Sequence, residues 1–442
     1  MNALSQQQNH TNFWGTPKSK SVGLFTDFTL YYDALKLCKS LGIINVSILR
    51  KELSQRIIGI RYVAELQKRA FLDLVRELNE FKFIRQKDRS ASHVQKIYEI
   101  TNEGLDLINI YEINRKKFSR ILTSKMFEVY TIPGWFVNRL WKINPDGQGQ
   151  VIIPAPLKSW NPSSYALQNY SWNIELDKQL HSTFEKVTAL GPNFFPVDLN
   201  KWSALVKQEY ERLGKLKKRQ EKEDVVGTKK TLHSFAPRRR LATAMRTSAL
   251  QILFSNEYSD TPDFSFEAPI MSERNYMAWC PRLEALELIY YSDHFREIPG
   301  RLLFPLTVFK SNAGSADFEI NDKVFSPSLH KLHYFQPNWL EFKLKFLTCL
   351  TRVYQNLHNK QRILYVSLQD VRDEVCRLLR ISSILFEKFL EEAFRASLMR
   401  EINFTIALET DIREDQMSGS QILRKPVYVQ AIPHSLIAIN IN

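Results

Sequence analysis

The sequence predicts a mainly helical, multi-domain α+β protein in which three helices and a two-stranded hairpin follow one another near each end. Three observations carry this. Apolar residues recur at helical spacing over long stretches, only 14 Gly and 18 Pro interrupt the chain, and the segments with strand composition are short. Apolar residues make up 44% of the chain and aromatics 12%, which supplies material for cores and excludes global disorder. At about 150 residues per domain, the length of 442 residues corresponds to roughly three domains.

Residues 1 to 22, rich in Gln, Asn, Ser and Lys, read as a disordered lead. From Asp27 the pattern is helical, with Phe28, Tyr31, Leu35 and Cys38 on one face and Gly42 where the helix stops. Ser47 starts a short helix through ILRKELSQR. A longer helix runs from Arg61, with Tyr62, Leu66, Ala70, Leu74 and Leu78 at roughly helical spacing. FKFIRQ and VQKIYEI then have the aromatic and β-branched content of strands, and KDRSASH between them is a turn-rich loop.

Residues 111 to 200 carry one further helix, YEINRKKFSRILTSKMFEVY, and a Pro- and Trp-rich stretch whose pattern specifies no fold. Between Lys201 and Arg246 fourteen basic residues face five acidic ones, a net +9 that is most of the chain's excess. KLKKRQEKEDVVGTKK reads as an exposed helix end entering a mobile linker, and APRRR is a second basic cluster. Near the C-terminus a helix from Trp339 to about Leu357 precedes a strand-like LYVSL. Ser367 and Asp370 form a capping box for DVRDEVCRLLR, ISS turns into the helix ILFEKFLEEAFRASLMR, and EINFTIALET and KPVYVQAIPHSLIAI supply strands around a polar loop. The predicted domains are therefore 23–130, a mixed region 131–214, a basic linker 215–240, a second mixed region 241–335, and 336–442.

Three helices followed by a hairpin is the order of the winged helix-turn-helix. YEITNEGLDLI resembles the close of the wing in many bacterial winged-helix regulators, where the second strand enters a helix through a Thr-x-x-Gly turn. The resemblance covers about residues 24 to 110, and the C-terminal domain is similar to the same fold with a long wing. A winged helix sets its third helix in the major groove and its hairpin along neighbouring phosphates. The resemblance thus implies base readout by Arg61, Gln67, Lys68, Arg69 and Arg76, and phosphate contacts by Lys87, Arg89, Ser90, Ser92, His93 and Lys96. The plainer alternative is a solvated helix and an ordinary hairpin, since winged helices also dock proteins.

The second domain differs in sign. Its third helix carries Glu387, Glu391 and Glu392 against Lys388, Arg395 and Arg400, which favours protein contact or dimerisation there over a second DNA contact. In the linker, Lys215, Lys217, Lys218, Arg219, Arg238, Arg239 and Arg240 suit a polyanion bound through counterion release, the alternative being a solubilising spacer.

A net charge of +14 agrees with a polyanionic partner. Cys38, Cys280, Cys349 and Cys376 lie far apart without a C-x-x-C pair, so neither a disulfide framework nor a zinc module is expected, and a cytoplasmic setting fits best. The polar N-terminus and the lack of an apolar run of about 18 residues argue against a membrane span. No P-loop, dinucleotide fingerprint, nucleophile elbow or H-E-x-x-H is present, so no enzyme, cofactor or metal is expected. His330 and His333 read as ordinary histidines. Asp263 with Glu341 and Lys343 loosely mimics a Mg²⁺-dependent nuclease, but Glu341 falls in a predicted helix where that core has a strand. Trp135, Trp141, Trp160 and Trp172 offer stacking faces for bases or, more commonly, core packing. The resulting expectation is a non-enzymatic protein that binds duplex DNA, in the setting of an accessory subunit of bacterial defence, replication or mobile-element systems. Plasmid replication initiators and the kleisin scaffolds of chromosome-organising complexes resemble it in carrying paired winged helices.

Overall fold

A computed structural model describes residues 28–53, 64–87, 96–144, 149–157, 160–163, 171–224, 237–254, 273–292, 300–310, 331–334, 337–410 and 427–441. The first elements in chain order are α1 (Thr29–Leu41), α2 (Val46–Leu53), α3 (Ala64–Glu80), β1 (Ile84–Gln86), β2 (Tyr98–Ile100), α4 (Asn102–Ile113), α5 (Arg115–Val129) and α6 (Thr131–Ile143). The middle holds β3 (Val151–Pro154), α7 (Ile174–Thr188), α8 (Leu199–Asp224), α9 (Pro237–Leu253), α10 (Glu273–Ala285), β4 (Ile289–Ser292), β5 (Gly300–Pro305), β6 (Thr307–Lys310) and β7 (Lys331–Tyr334). The last run is α11 (Trp339–Gln361), β8 (Val366–Ser367), α12 (Leu368–Leu379), α13 (Ser383–Leu398), β9 (Phe404–Glu409), β10 (Val427–Val429), β11 (Ile432–His434) and β12 (Leu436–Ile441). The protein is mainly helical with small sheets, as the sequence predicts.

The chain forms two compact units, each discontinuous. One holds Met1–Asn138, Ser259–Leu286 and Phe309–His333, and the other Arg139–Tyr258, Glu287–Val308 and Tyr334–Asn442. The first unit therefore reaches beyond the sequence-predicted domain 23–130 and takes in α10.

In the first unit α1 ends at Gly42, whose φ of 77° is left-handed backbone that glycine adopts without strain. Ile44 then pairs with Tyr98, each N–H donating to the other's carbonyl at 2.9 Å, which places one residue of the α1–α2 connection beside β2. β1 and β2 are antiparallel with Ile84 opposite Ile100, so the strip runs Ile44, β2, β1. Leu30, Leu35, Leu49, Phe71, Leu74 and Leu78 are buried and form the core between the helices.

The Thr-x-x-Gly turn has a steric cause. Thr101 caps α4 by accepting from the Gly104 N–H at 3.2 Å and donates its own hydroxyl to the Lys82 carbonyl at 2.7 Å. A Cβ on Gly104 would lie 2.2 Å from the Phe83 carbonyl oxygen, so only glycine lets α4 start this close to the hairpin. The single helix predicted across 111–130 is two, because Asn114 is extended and its side chain caps α5 at the Lys117 N–H, 2.9 Å away. The Pro-rich stretch that followed begins as a helix, α6. Pro133 sits in its first turn, where the missing N–H has no intrahelical partner to lose.

In the second unit β3, β5 and β4 form an antiparallel sheet in that order. Trp202 of α8 is buried and donates to the Met245 carbonyl of α9 at 3.3 Å. The C-terminal elements repeat the succession of the first unit: helix, short strand, helix, helix, strand, connection, strand. Their antiparallel sheet runs β8, β12, β9. Ser367 accepts from the Asp370 N–H at 3.3 Å, as the capping box requires, and Ser382 caps α13. The stretch predicted as one closing strand turns back at Gln430 and Ala431, both at positive φ, so that β10 and β11 form a small hairpin before β12.

Candidate nucleic-acid interface

Within the mostly apolar buried side of α3 sit two charged residues, Asp73 and Glu77. Glu77 and Arg282, both fully buried, make a two-pronged ion pair of 2.9 and 3.1 Å, and the Tyr31 hydroxyl donates to Glu77 and accepts from Arg282 at 3.1 Å. Arg282 also lies over the rings of Phe28 and Trp279, at 5.4 and 5.6 Å. Burial alone would pull the guanidinium pKa down, but the Glu77 charge and its hydrogen bonds more than offset this and hold it above its ordinary value. Burial, then the charge of Glu77, raises the Tyr31 phenol, which stays protonated. Two further carboxylates of the helix are engaged as well. Asp73 pairs with Arg76 at 2.9 Å, and Glu80 accepts from Tyr130 at 3.0 Å.

These partners decide what Arg76 does. Its side chain is about a quarter exposed and its guanidinium is held between Asp73 and Glu80, so it belongs to the helix's own ion-pair row and is not presented for base readout. Gln67, Lys68 and Arg69 are on the preceding turns of α3, while Arg61 lies outside the described residues. On the hairpin, Arg85 pairs with Glu99 directly across at 2.6 Å. Lys87 is exposed, and its N–H donates to the Ile97 carbonyl at 2.9 Å, which closes the last rung before the loop. Lys96 is half-buried on the other side. Arg89, Ser90, Ser92 and His93 lie outside the described residues. Arg50 and Lys51, not singled out from the sequence, are exposed in the last turn of α2, with Lys51 3.8 Å from Glu52. Val46 and Leu49 mark the buried face, and helical spacing turns Lys51 away from it, while Arg50, four residues after Val46, lies at its margin.

The basic linker is mostly helix at both ends. Lys215 is exposed on α8, and Lys217, Lys218 and Arg219 continue that helix, whereas 225–236 lie outside the described residues. Arg238, Arg239 and Arg240 open α9. Arg238 donates to the Leu157 carbonyl at 3.1 Å, and Arg240 is buried with its guanidinium 4.0 Å from the Tyr210 ring centre and hydrogen-bonded to the Tyr210 hydroxyl. Arg240 is therefore a core contact, a correction to its reading as a free cation. Arg239 alone of the three is exposed.

The tryptophans are packing residues where their side chains are described. Trp141 donates to the Thr307 carbonyl at 2.8 Å, Trp160 to Glu175 at 3.1 Å, and Trp172 meets Tyr210 edge-on. Glu341 lies in the first turn of α11, capped by Asn338, and His333 lies on β7, while Asp263 and His330 lie outside the described residues. Among the described residues no group of three His, Cys, Asp or Glu side chains converges as a metal site, and no helix is long and apolar enough to cross a membrane.

In the C-terminal elements, Arg395 of α13 reaches Glu391 at 3.2 Å and Glu392 at 3.3 Å. Helix α12 is held against the middle sheet. The fully buried Asp373 accepts from Tyr290 and Ser292 of β4, the Ser382 hydroxyl donates to Glu287 at 2.6 Å, and Arg380 lies over Phe304 at 4.9 Å. One face of the helix pair α12–α13 is thereby covered within its own unit. Compared with known proteins, the chain matches no family model, no curated protein and no solved structure.

Proposed function

We propose that the chain is a non-enzymatic protein that holds duplex DNA through a winged helix made of α1 to α3, Ile44 and β1–β2, and that its C-terminal winged helix serves protein contact. The observation that carries the reading is the strip Ile44, β2, β1 behind three helices, with Lys87 exposed where β1 enters the basic loop. Electrostatics supports it: Asp73, Glu77 and Glu80 of α3 are tied to partners inside the unit, which limits the negative field at the third helix. The protein role of the C-terminal elements is supported by α13, where Arg395 is shared by Glu391 and Glu392, so that one positive charge answers two negative ones and a phosphate backbone would be met less favourably than at α3.

Titration of fluorescent duplex DNA with the full chain across a salt series tests the proposal. A DNA binder loses log affinity linearly with log salt, at about 0.9 per phosphate contacted. No retention at moderate salt, together with a stoichiometric co-purifying protein, would replace it with a scaffold.

A further inference from the structure

Helix α3 takes its setting from a residue outside the helices and hairpin proposed to hold DNA. Most of its buried contacts are apolar, through Phe71, Leu74, Val75 and Leu78. Apolar faces repack at small cost, so they leave the roll and slide of a helix loosely defined. The fork from Arg282 of α10 to Glu77 does not. Its two bonds of 2.9 and 3.1 Å, joined by the Tyr31 hydroxyl of α1 at 3.1 Å from the guanidinium, are met together in one setting of α3. One turn before Arg282, Trp279 packs edge-on against Tyr130, the residue whose hydroxyl donates to Glu80 of α3, so α10 is itself fixed. A buried pair of this kind adds little stability over a well-packed apolar replacement, which leaves its geometry as the contribution.

From this arrangement, and resting on the winged-helix reading above, we infer that Arg282 is a positioning residue for base readout by α3. Lys68 stands nine positions before Glu77, half a revolution round the helix at about 100° per residue, with Gln67 and Arg69 on either side. Arg282 therefore grips the helix on the side opposite these positions. A roll of about 20° carries a side-chain end about 6 Å from the helix axis through about 2 Å, enough to break a hydrogen bond to a base edge. Sequence discrimination by the winged helix thus depends on α10, an element that the order of helices and hairpin does not include.

The test selects duplexes from a random pool with the full wild-type chain and then titrates the selected duplex and a scrambled one. The ratio of the two affinities is the readout. Loss of folded protein lowers both affinities alike, so the ratio reports the setting of α3. The main variant is Glu77→Leu with Arg282→Met, which removes the fork without leaving a buried charge. Its preference for the selected duplex is expected to fall by at least about tenfold. If it fails to fold, Arg282→Lys, which keeps the charge and loses the fork, carries the same comparison with the same expected fall. A folded variant that discriminates as wild type does makes the pair merely structural and overturns the inference. A wild-type chain that binds duplex DNA without sequence preference also overturns it, and leaves DNA binding standing. A wild-type chain that binds no duplex removes the winged-helix reading and the inference together.

Discussion

With Arg282 truncated to alanine, the Glu77 carboxylate loses its cation while remaining fully buried. Arg282→Ala should therefore lower the stability of the first unit by about 3–5 kcal/mol in denaturant unfolding, whereas replacing the pair together, Glu77→Leu with Arg282→Met, should cost clearly less. Cys38 provides a pH signature in the same unit. Burial pushes its thiol up to about 11 from an ordinary 9.0, so the unfolded chain ionises first as pH rises. The group's contribution is constant below pH 9.0 and stability falls from there towards 11. Cys38→Ala should remove that part of the alkaline loss in melts run across the window. Neither residue role was readable beforehand. Glu77 is 205 positions from Arg282, and a charged residue beside a buried stripe reads as solvent-facing until its partner is known.

The Thr-x-x-Gly turn was legible as a pattern at the scale of one element, and the structure supplies its reason. Gly104→Ala forces a methyl group into the Phe83 carbonyl and the Ile100 side chain, so a loss of about 1–3 kcal/mol is expected in thermal or denaturant melts, with strand β1 displaced. Thr101→Val should cost about 1 kcal/mol through the lost cap. Caps at Ser367 and the hairpin strands could be read locally because they depend on residues a few positions apart. The break at Asn114 was missed because the apolar spacing continues across it, and only the extended backbone of Asn114 separates α4 from α5. Arg240 was misread for the opposite reason: a run of three arginines signals solvent, and its aromatic partner Tyr210 lies 30 residues away.

For the whole molecule, the mainly helical class and the repeated order of elements at both ends followed from periodicity and composition. The discontinuous units did not. No local signal announces that α10 joins α1 and α3, since long-range packing of two amphipathic segments leaves no mark in either alone. A fragment ending at residue 130 keeps Glu77 and loses Arg282 and Trp279. It should melt without the cooperativity of the full chain by circular dichroism, despite holding every element of the proposed winged helix. DNA work therefore belongs on the intact protein. The most direct test of the central claim compares duplex DNA binding by the full chain and by Lys87→Glu with Arg89→Glu at physiological salt, with melting curves matched. DNA docking through the β1–β2 hairpin predicts affinity lost by roughly tenfold or more and a salt slope lowered by about two units. Unchanged binding and slope in the variant would contradict it and move the contact away from the hairpin.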